Sequence, residues 1–265
     1  MARAQSCEIV PGDRPGTFVL RLDGMNQSHV DLAHPTRLEF EYVRRIADVL
    51  DLAEAPGAPL RVVHVGGAAM TLPRYVAATR PHSAQVVLEP AAEVTEQVRA
   101  ELPLPQRSGI KVRPVGGRAG IAELRDGHAR VVVLDAFAGG RVPGELVTAE
   151  FFADVARVLD PDGLFVLNLT DRSPFGWTRR ALAALRLSFP ELLLSAEPAT
   201  LRARRLGNLV VVASRAAVPL AGLRARSAKA AAPYRVLDAA QMRDGFGGGT
   251  PFTVVDTDPS PPPEV

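Results

Sequence analysis

The segment from residue 60 to residue 89 constrains the fold most strongly, because two apolar runs flank a glycine turn and a helical pattern. Residues 60–65 are apolar and β-branched with one polar break, which is typical of a strand buried on both faces. A helix is predicted over 71–79, and a second apolar run covers 85–88. This order of strand, tight turn, helix and strand predicts a βαβ unit with parallel strands.

Glycines and an acid stand at the ends of these two strands. Gly66 and Gly67 follow the first strand directly, so backbone N–H groups can approach a ligand there. Glu89 ends the second strand, where its carboxylate can accept hydrogen bonds from both ribose hydroxyls. The pattern indicates a nucleoside site, and a plain turn with a surface glutamate is the alternative.

The length, composition and cysteine count of the chain limit the class of protein that it can be. The chain has 265 residues, of which 47% are hydrophobic, enough for one sizeable core. No apolar run reaches the roughly 18 residues of a membrane-spanning helix, and the first ten residues lack a hydrophobic signal core. We therefore expect a cytoplasmic protein without a membrane partner. The single cysteine excludes an internal disulfide framework, and the scattered histidines predict no metal site.

The charge pattern argues against a nucleic-acid partner. The net charge is +2 and the pI is about 9.0, with nearly all basic residues arginine. Aromatic residues make up only 5% of the chain. Single-stranded nucleic acids are bound by basic stripes with interleaved aromatic side chains, and no such stripe is present.

The chain around this unit reads as an α/β protein. Residues 5–32 predict a small β element with a turn at Asp23-Gly24, and a helix is expected from Pro35, with Thr36 and Glu39 as a capping box. Alternating strands and helices after residue 89 predict a doubly wound, mostly parallel sheet of about seven strands. The predicted elements are strands 110–115, 130–134 and 164–169, helices 91–101, 119–125, 149–159 and 176–189, and a closing antiparallel pair, 191–196 and 208–213.

Three parts are predicted along the chain. Residues 1–52 hold the β element and its helix, residues 53–215 form the Rossmann-like domain, and residues 216–265 are a C-terminal extension. The extension is expected to hold one short helix. Its last ten residues, DTDPSPPPEV, are proline-rich and are expected to be disordered.

Several motifs, taken in order, resemble the spermidine synthases, which carry an aminopropyltransferase activity on a class I methyltransferase-type fold. The similarity is greatest to divergent spermidine-synthase-like proteins of actinobacteria, and it covers about residues 17 to 215. The motifs are LRLDGMNQ, LEFEYVRRI, HVGGAAMTLPRY, VVLE, VVVLDAF and FFADVARVLDPDGLFVLNL.

The resemblance implies a nucleoside site at the ends of the first strands. Gly66 and Gly67 match the family's glycine loop, and Glu89 matches its ribose-binding acid. Gly117 aligns with the family residue that binds the amino group of adenine. Gln27 matches a glutamine that faces the ligand in the family. The implied co-substrate is decarboxylated S-adenosylmethionine or S-adenosylmethionine.

The resemblance also implies a catalytic group and an acceptor site. Asp135 matches the family's general base, and Tyr42 and Gln27 match its substrate-facing residues. The Asp135 and Glu89 carboxylates are expected to face one cleft, closed by the loop 136–146. A homodimer is expected as well, because spermidine synthases are commonly dimers or larger.

Four acids of the family are replaced. Ala69, Ala91, Gly117 and Ala138 stand at positions where the family has carboxylates. Spermidine synthesis handles cations, and carboxylates must hold each charge. Three hypotheses stay open: an aminopropyltransferase-like enzyme that acts on a diamine or another amine, an S-adenosylmethionine-dependent methyltransferase, and a non-catalytic nucleoside-binding descendant.

Overall fold

A three-stranded antiparallel sheet begins the chain in the computed structural model, which describes residues 6–202 and 205–263. Its strands are β1 (Cys7–Pro11), β2 (Thr17–Leu22) and β3 (Met25–Asp31), in the order β1-β2-β3. The predicted N-terminal β element is therefore confirmed.

An eight-stranded sheet forms the centre of the molecule. Its strand order is β11-β9-β10-β8-β7-β4-β5-β6, and neighbours from β8 to β6 pair in parallel. The predicted doubly wound, mostly parallel class is confirmed. The strands are β4 (Arg61–Val65), β5 (Ala84–Leu88), β6 (Ile110–Arg113), β7 (Ala129–Leu134), β8 (Leu159–Asp171), β9 (Glu191–Ala196), β10 (Gly207–Ser214) and β11 (Arg235–Leu237).

The far edge of the sheet is antiparallel. Strand β10 lies between β8 and β9 and pairs antiparallel with both, as predicted for the closing pair. Strand β11 adds to the outer side of β9 and makes the eighth strand, one more than expected. Its three residues are too short a run to signal a strand from the sequence.

Helices cover both faces of the sheet. The residues of β4 alternate between the two faces: Val63 and Val65 pack into one buried cluster, and Val62 packs into the other. The helices are α1 (Glu41–Leu52), α2 (Thr71–Thr79), α3 (Ala92–Glu101), α4 (Gly117–Ala122), α5 (Ala149–Val158), α6 (Gly176–Leu185), α7 (Pro198–Leu201), α8 (Leu220–Lys229) and α9 (Ala239–Phe246), with a 3-10 turn at Gly144–Leu146.

The flanking parts of the chain contact the central sheet. Helix α1 packs against β10, and β11 pairs within the sheet itself. The C-terminal extension holds two helices, α8 and α9, where one was expected. The predicted division at residues 52 and 215 stays a prediction. Among the described residues, no helix is long and apolar enough to cross a membrane.

The predicted start of the first helix is wrong. Helix α1 begins at Glu41, and its N-cap residue Phe40 provides no side-chain cap, so Thr36 and Glu39 form no capping box. The buried carboxylate of Asp31 instead accepts the N–H of His34 at 2.8 Å and pairs with the Arg37 guanidinium at 2.6 Å. These contacts hold the segment after β3 in turns, and the helix starts later.

The predicted disorder of the last ten residues is wrong for residues 256–263, while Glu264 and Val265 lie outside the described residues. Prolines give this segment few N–H donors, yet its side chains and carbonyl groups bond to the loop 136–146. Val142 N–H donates to the Ser260 hydroxyl at 2.9 Å, and Ser260 N–H donates to the Val142 carbonyl at 3.0 Å. The segment is thus fixed by tertiary contacts.

Replacing the fully buried Ser260 by Ala should lower the free energy of unfolding by about 1–2 kcal/mol, because Val142 N–H loses its acceptor. Urea unfolding measures the change. The matched control is Ser188→Ala, since the Ser188 hydroxyl makes no hydrogen bond within the described residues, and its effect should stay below about 0.5 kcal/mol. Equal stabilities of the two variants would show that the tail does not hold the loop.

Candidate functional site

A cavity of about 290 Å³ opens at the carboxyl ends of β4, β5 and β7. Strand ends of this kind are where ligands bind in open α/β sheets. The structure brings all the predicted site residues together in its walls. They are Gln27, Tyr42, Gly66, Gly67, Glu89, Gly117 and Asp135. Their ligand-binding roles stay predictions.

The glycine turn after β4 allows a close backbone approach. Gly66 has a φ of +90°, and a Cβ there would lie 2.9 Å from Cα of Ala136 and nearer still to the Asp135 carbonyl oxygen. Ala68 and Met70 also adopt positive φ angles, 40° and 62°, which cost an L-residue about 1–2 kcal/mol each. The turn keeps a glycine-like shape although glycine is absent at those two positions.

The Glu89 carboxylate holds this turn against the end of β5. Its Oε2 accepts the N–H of Gly67 at 3.0 Å and of Ala68 at 3.2 Å. Its Oε1 accepts the N–H of Ala91 at 3.1 Å. A carboxylate offers about four acceptor positions. Three of those of Glu89 are therefore occupied by backbone N–H groups, and one is left. Glu89 is therefore a structural link between two strand ends as well as the predicted ribose ligand.

Asp135 directly follows β7 and lines the cavity. Protein surrounds its carboxyl except where the cavity admits solvent, and this burial raises its pKa to about 6. The Asn168 amide donates to Oδ1 at 2.9 Å and opposes part of that rise. Oδ2 accepts no hydrogen bond from the described residues. One oxygen is thus free for a ligand, with a pKa suited to a general base near neutral pH.

Aromatic side chains form the wall beside Asp135. Tyr42, in the first turn of α1, stacks on Phe40 with ring centroids 6.0 Å apart and an interplanar angle of 22°. Burial and the nearby Asp135 carboxylate raise the pKa of Tyr42 well above its usual range, so its hydroxyl stays protonated. Gln27, from β3, also lines the cavity, so the N-terminal sheet contributes directly to it.

Gly117 has a packing role that the sequence did not reveal. It begins α4, and a Cβ there would collide with the Val65 side chain and lie 3.1 Å from Cδ2 of Leu146. Gly116, by contrast, has no atom within 4 Å of its Cβ position and faces open space. The close approach of α4 to β4 therefore requires glycine at 117 whether or not a nucleoside binds.

The positions of the replaced acids differ in their surroundings. Ala138 and Ala91 line the cavity. Ala69 is fully buried in the apolar cluster that includes Leu20 and Val94, and it does not line the cavity. The methyl group of Ala69 thus occupies a core position that corresponds to an acidic residue in the spermidine synthases.

The cavity carries only negative formal charges. Carboxylates of Glu89, Asp135 and Glu145 line it, and no arginine or lysine among the described residues does. His64 is neutral at pH 7, because burial lowers its pKa to about 4, and its Nε2 lies 2.9 Å from the Gln85 amide oxygen. This arrangement favours a cationic ligand.

Sequence reasoning missed Glu145 and Phe40 as cavity residues. Glu145 lies in the loop predicted to close the cleft, which was the available signal for it. Phe40 precedes a helix whose start was predicted too early, so its position was not visible. No group of three or more metal-binding side chains occurs within residues 6–202 and 205–263, and the predicted absence of a metal stays a prediction.

Replacing Asp135 by Asn should stabilise the protein at high pH. The carboxyl has a higher pKa in the folded chain than its ordinary value of 3.8, so its contribution to the free energy of unfolding falls as pH rises from about 4 to above 6. An amide avoids the buried charge and keeps an oxygen for Asn168.

We expect Asp135→Asn to be more stable than wild type by on the order of 2 kcal/mol at pH 8, with no difference near pH 4. Urea unfolding across pH measures this. Asp13→Asn, at an exposed position without hydrogen bonds to the described residues, should show no such dependence. A loss of stability at pH 8 in Asp135→Asn would contradict the prediction.

The chain is similar in sequence to known polyamine aminopropyltransferases, although it matches no protein family profile. It is 27% identical over 142 residues to the polyamine aminopropyltransferase of Chromobacterium violaceum, which covers 54% of this chain and 53% of that protein. It is 26% identical over 143 residues to the enzymes of Neisseria meningitidis, covering 54% and 53%. The chain spans about half the length of the curated relatives it matches.

Solved structures share the fold. A probable spermidine synthase from Corynebacterium glutamicum superposes with a TM-score of 0.87 at 27% identity, covering 94% of this chain and 93% of that one. A spermidine synthase in complex with the transition state analogue AdoDATO gives 0.57 at 16% identity, covering 92% and 81%. Human methyltransferase-like protein 13 in complex with SAH gives 0.57 at 23% identity, covering 71% and 90%. The last two show the fold alone. The resemblance to spermidine synthases is confirmed.

Proposed function

Because the chain is a spermidine-synthase-like protein, we propose that its cavity binds decarboxylated S-adenosylmethionine and that the protein transfers the aminopropyl group to an amine. The observation that carries this proposal is the cavity itself. The glycine turn, the Glu89 carboxylate and the buried Asp135 carboxylate meet there, and no basic residue among the described ones lines it. A sulfonium nucleoside is a cation that such a cavity favours.

Each side chain has a role in this proposal. Glu89 accepts a hydrogen bond from a ribose hydroxyl at the acceptor position that the backbone leaves free, and the open space at Gly116 admits the base. Asp135 accepts a proton from the attacking amine, because its pKa of about 6 leaves it mostly ionised at neutral pH. Tyr42 and Gln27 orient the acceptor beside it.

Two alternatives use the same cavity. A methyltransferase would bind S-adenosylmethionine, and a non-catalytic descendant would bind a nucleoside without turnover. The wall formed by Gln27 and the N-terminal sheet favours the aminopropyltransferase over the methyltransferase, since ordinary methyltransferases usually lack this hairpin. The alanines at 69 and 138 favour the non-catalytic alternative, because fewer carboxylates remain to hold ammonium groups.

Calorimetric titration with methylthioadenosine, S-adenosylmethionine and its decarboxylated form tests the nucleoside site. We expect binding of the decarboxylated co-substrate and of methylthioadenosine, the product. Glu89→Gln should raise the Kd for methylthioadenosine at least about tenfold, since the amide loses a ribose acceptor. Asp135→Asn should change that Kd less than about threefold and abolish formation of methylthioadenosine from the co-substrate.

The outcomes separate the hypotheses. Wild-type protein that binds methylthioadenosine but forms no product with any amine is the non-catalytic descendant. Methyl transfer from S-adenosylmethionine identifies the methyltransferase. If none of the three nucleosides binds to the protein at millimolar concentration, the proposal is wrong. Circular dichroism melting of Glu89→Gln without ligand checks that the glycine turn, which Glu89 also holds, has not collapsed.

We also propose a cytoplasmic homodimer, which rests on the resemblance to spermidine synthases. Multi-angle light scattering at micromolar concentration should give about twice the chain mass of 28.2 kDa. A single species at the chain mass would exclude the dimer.

A further inference from the structure

The order of the strands indicates which end of the cavity receives each part of a nucleoside. The strands lie in the order β7-β4-β5-β6, and Asp135 and Glu89 directly follow β7 and β5. Gly116 comes after β6 and is the N-cap residue of α4. The proposed binding mode puts the sulfur of the nucleoside at Asp135 and its ribose at Glu89. The base is attached to the other end of the ribose, so it continues toward Gly116 and Gly117.

The short turn Gly144–Leu146 packs at this end of the cavity. It contacts α4, and a Cβ at Gly117 would lie 3.1 Å from Cδ2 of Leu146. Glu145 precedes Leu146, and consecutive Cα atoms are about 3.8 Å apart, so Glu145 lies at the same end. It also lines the cavity. Glu145 is therefore the carboxylate beside the base, whereas Asp135 lies beside the sulfur.

Hydrogen bonds hold the backbone of this turn. The Gly144 carbonyl accepts the N–H of Val147 at 3.1 Å and the hydroxyl of Thr257 at 2.8 Å. The Glu145 side chain, by contrast, is exposed and makes no hydrogen bond or ion pair within the described part of the chain. Its carboxylate is thus a free acceptor on a fixed backbone, and binding a ligand there orders one side chain only.

A carboxylate that faces a base favours a hydrogen-bond donor on that base. An ionised carboxylate has acceptor positions only, and the amino group of adenine is a donor, whereas the purine ring nitrogens at the base edges are acceptors. Gly116 and Gly117 have no side chain that could accept from the amino group. Glu145 can therefore supply the side-chain acceptor that these two glycines do not.

We infer that Glu145 determines the base specificity of the cavity, because its carboxylate accepts an N–H of the exocyclic amino group and so selects a 6-aminopurine nucleoside. This inference rests on the proposed nucleoside site and names the residue that distinguishes the base there.

Methylthioadenosine and its 6-deamino analogue, in which hydrogen replaces the adenine amino group, form a matched pair of probes. Calorimetric titration of the wild-type protein should give a Kd at least about fivefold lower for methylthioadenosine. Glu145→Ala should reduce this ratio to less than about twofold, by weakening the binding of methylthioadenosine. Glu145→Gln keeps a neutral acceptor oxygen and should give an intermediate ratio.

Glu96→Ala is the matched control. Glu96, in α3, is exposed, does not line the cavity, and makes no hydrogen bond or ion pair with other residues that the structure describes. The control removes the same charge as Glu145→Ala and should change the ratio of the two Kd values less than about twofold. Circular dichroism melting should show that both variants are folded, because both side chains are exposed.

Decarboxylated S-adenosylmethionine separates recognition of the base from recognition of an ammonium group, which methylthioadenosine lacks. A loss of affinity in Glu145→Ala that is confined to decarboxylated S-adenosylmethionine would identify Glu145 as an ammonium ligand and overturn the inference. Equal affinity of wild type for the two probes, or an unchanged ratio in Glu145→Ala, also overturns it, while the nucleoside site survives. Failure of methylthioadenosine to bind removes the proposed function and this inference together.

Discussion

The contact between Gly66 and the backbone of Asp135 is the constraint on which the site depends. Any side chain at Gly66 would overlap the Asp135 carbonyl oxygen, so glycine allows the end of β4 to lie directly against the end of β7. Glu89 then links the same turn to the end of β5 through the amides of Gly67 and Ala68. Two short contacts thus hold three strand ends around one cavity and place both carboxylates in it.

The charge distribution gives this cavity its chemical character. The chain has 31 lysines and arginines, yet none of those in the described part lines the cavity, where three carboxylates lie. The burial of the Asp135 carboxyl raises its pKa to about 6, and this lowers the free energy of unfolding at neutral pH, where the group is ionised. A stability cost at a pocket residue is typical of a functional site, where activity and stability compete.

Features that depend on local sequence were predictable, and features that depend on distant contacts were not. The helix Thr71–Thr79 and the pairing of β9 with β10 follow from apolar runs and turn residues. The later start of α1 depends on Asp31, and the order of the tail depends on Val142, 118 residues from Ser260. Strand-end positions gave Gly66, Gly67 and Glu89, and the resemblance to spermidine synthases gave the other site residues. Only the fold shows that Ala69 is buried and that Glu145 lines the cavity.

A crystal structure of the methylthioadenosine complex is the most direct test of the roles assigned to Glu89 and Asp135. We predict that a ribose hydroxyl lies within hydrogen-bond distance of Glu89 and that the thioether sulfur faces Asp135 beside Tyr42. A nucleoside bound elsewhere, or a cavity in which the sulfur points away from Asp135, would contradict the assignment of these carboxylates to ribose binding and proton transfer.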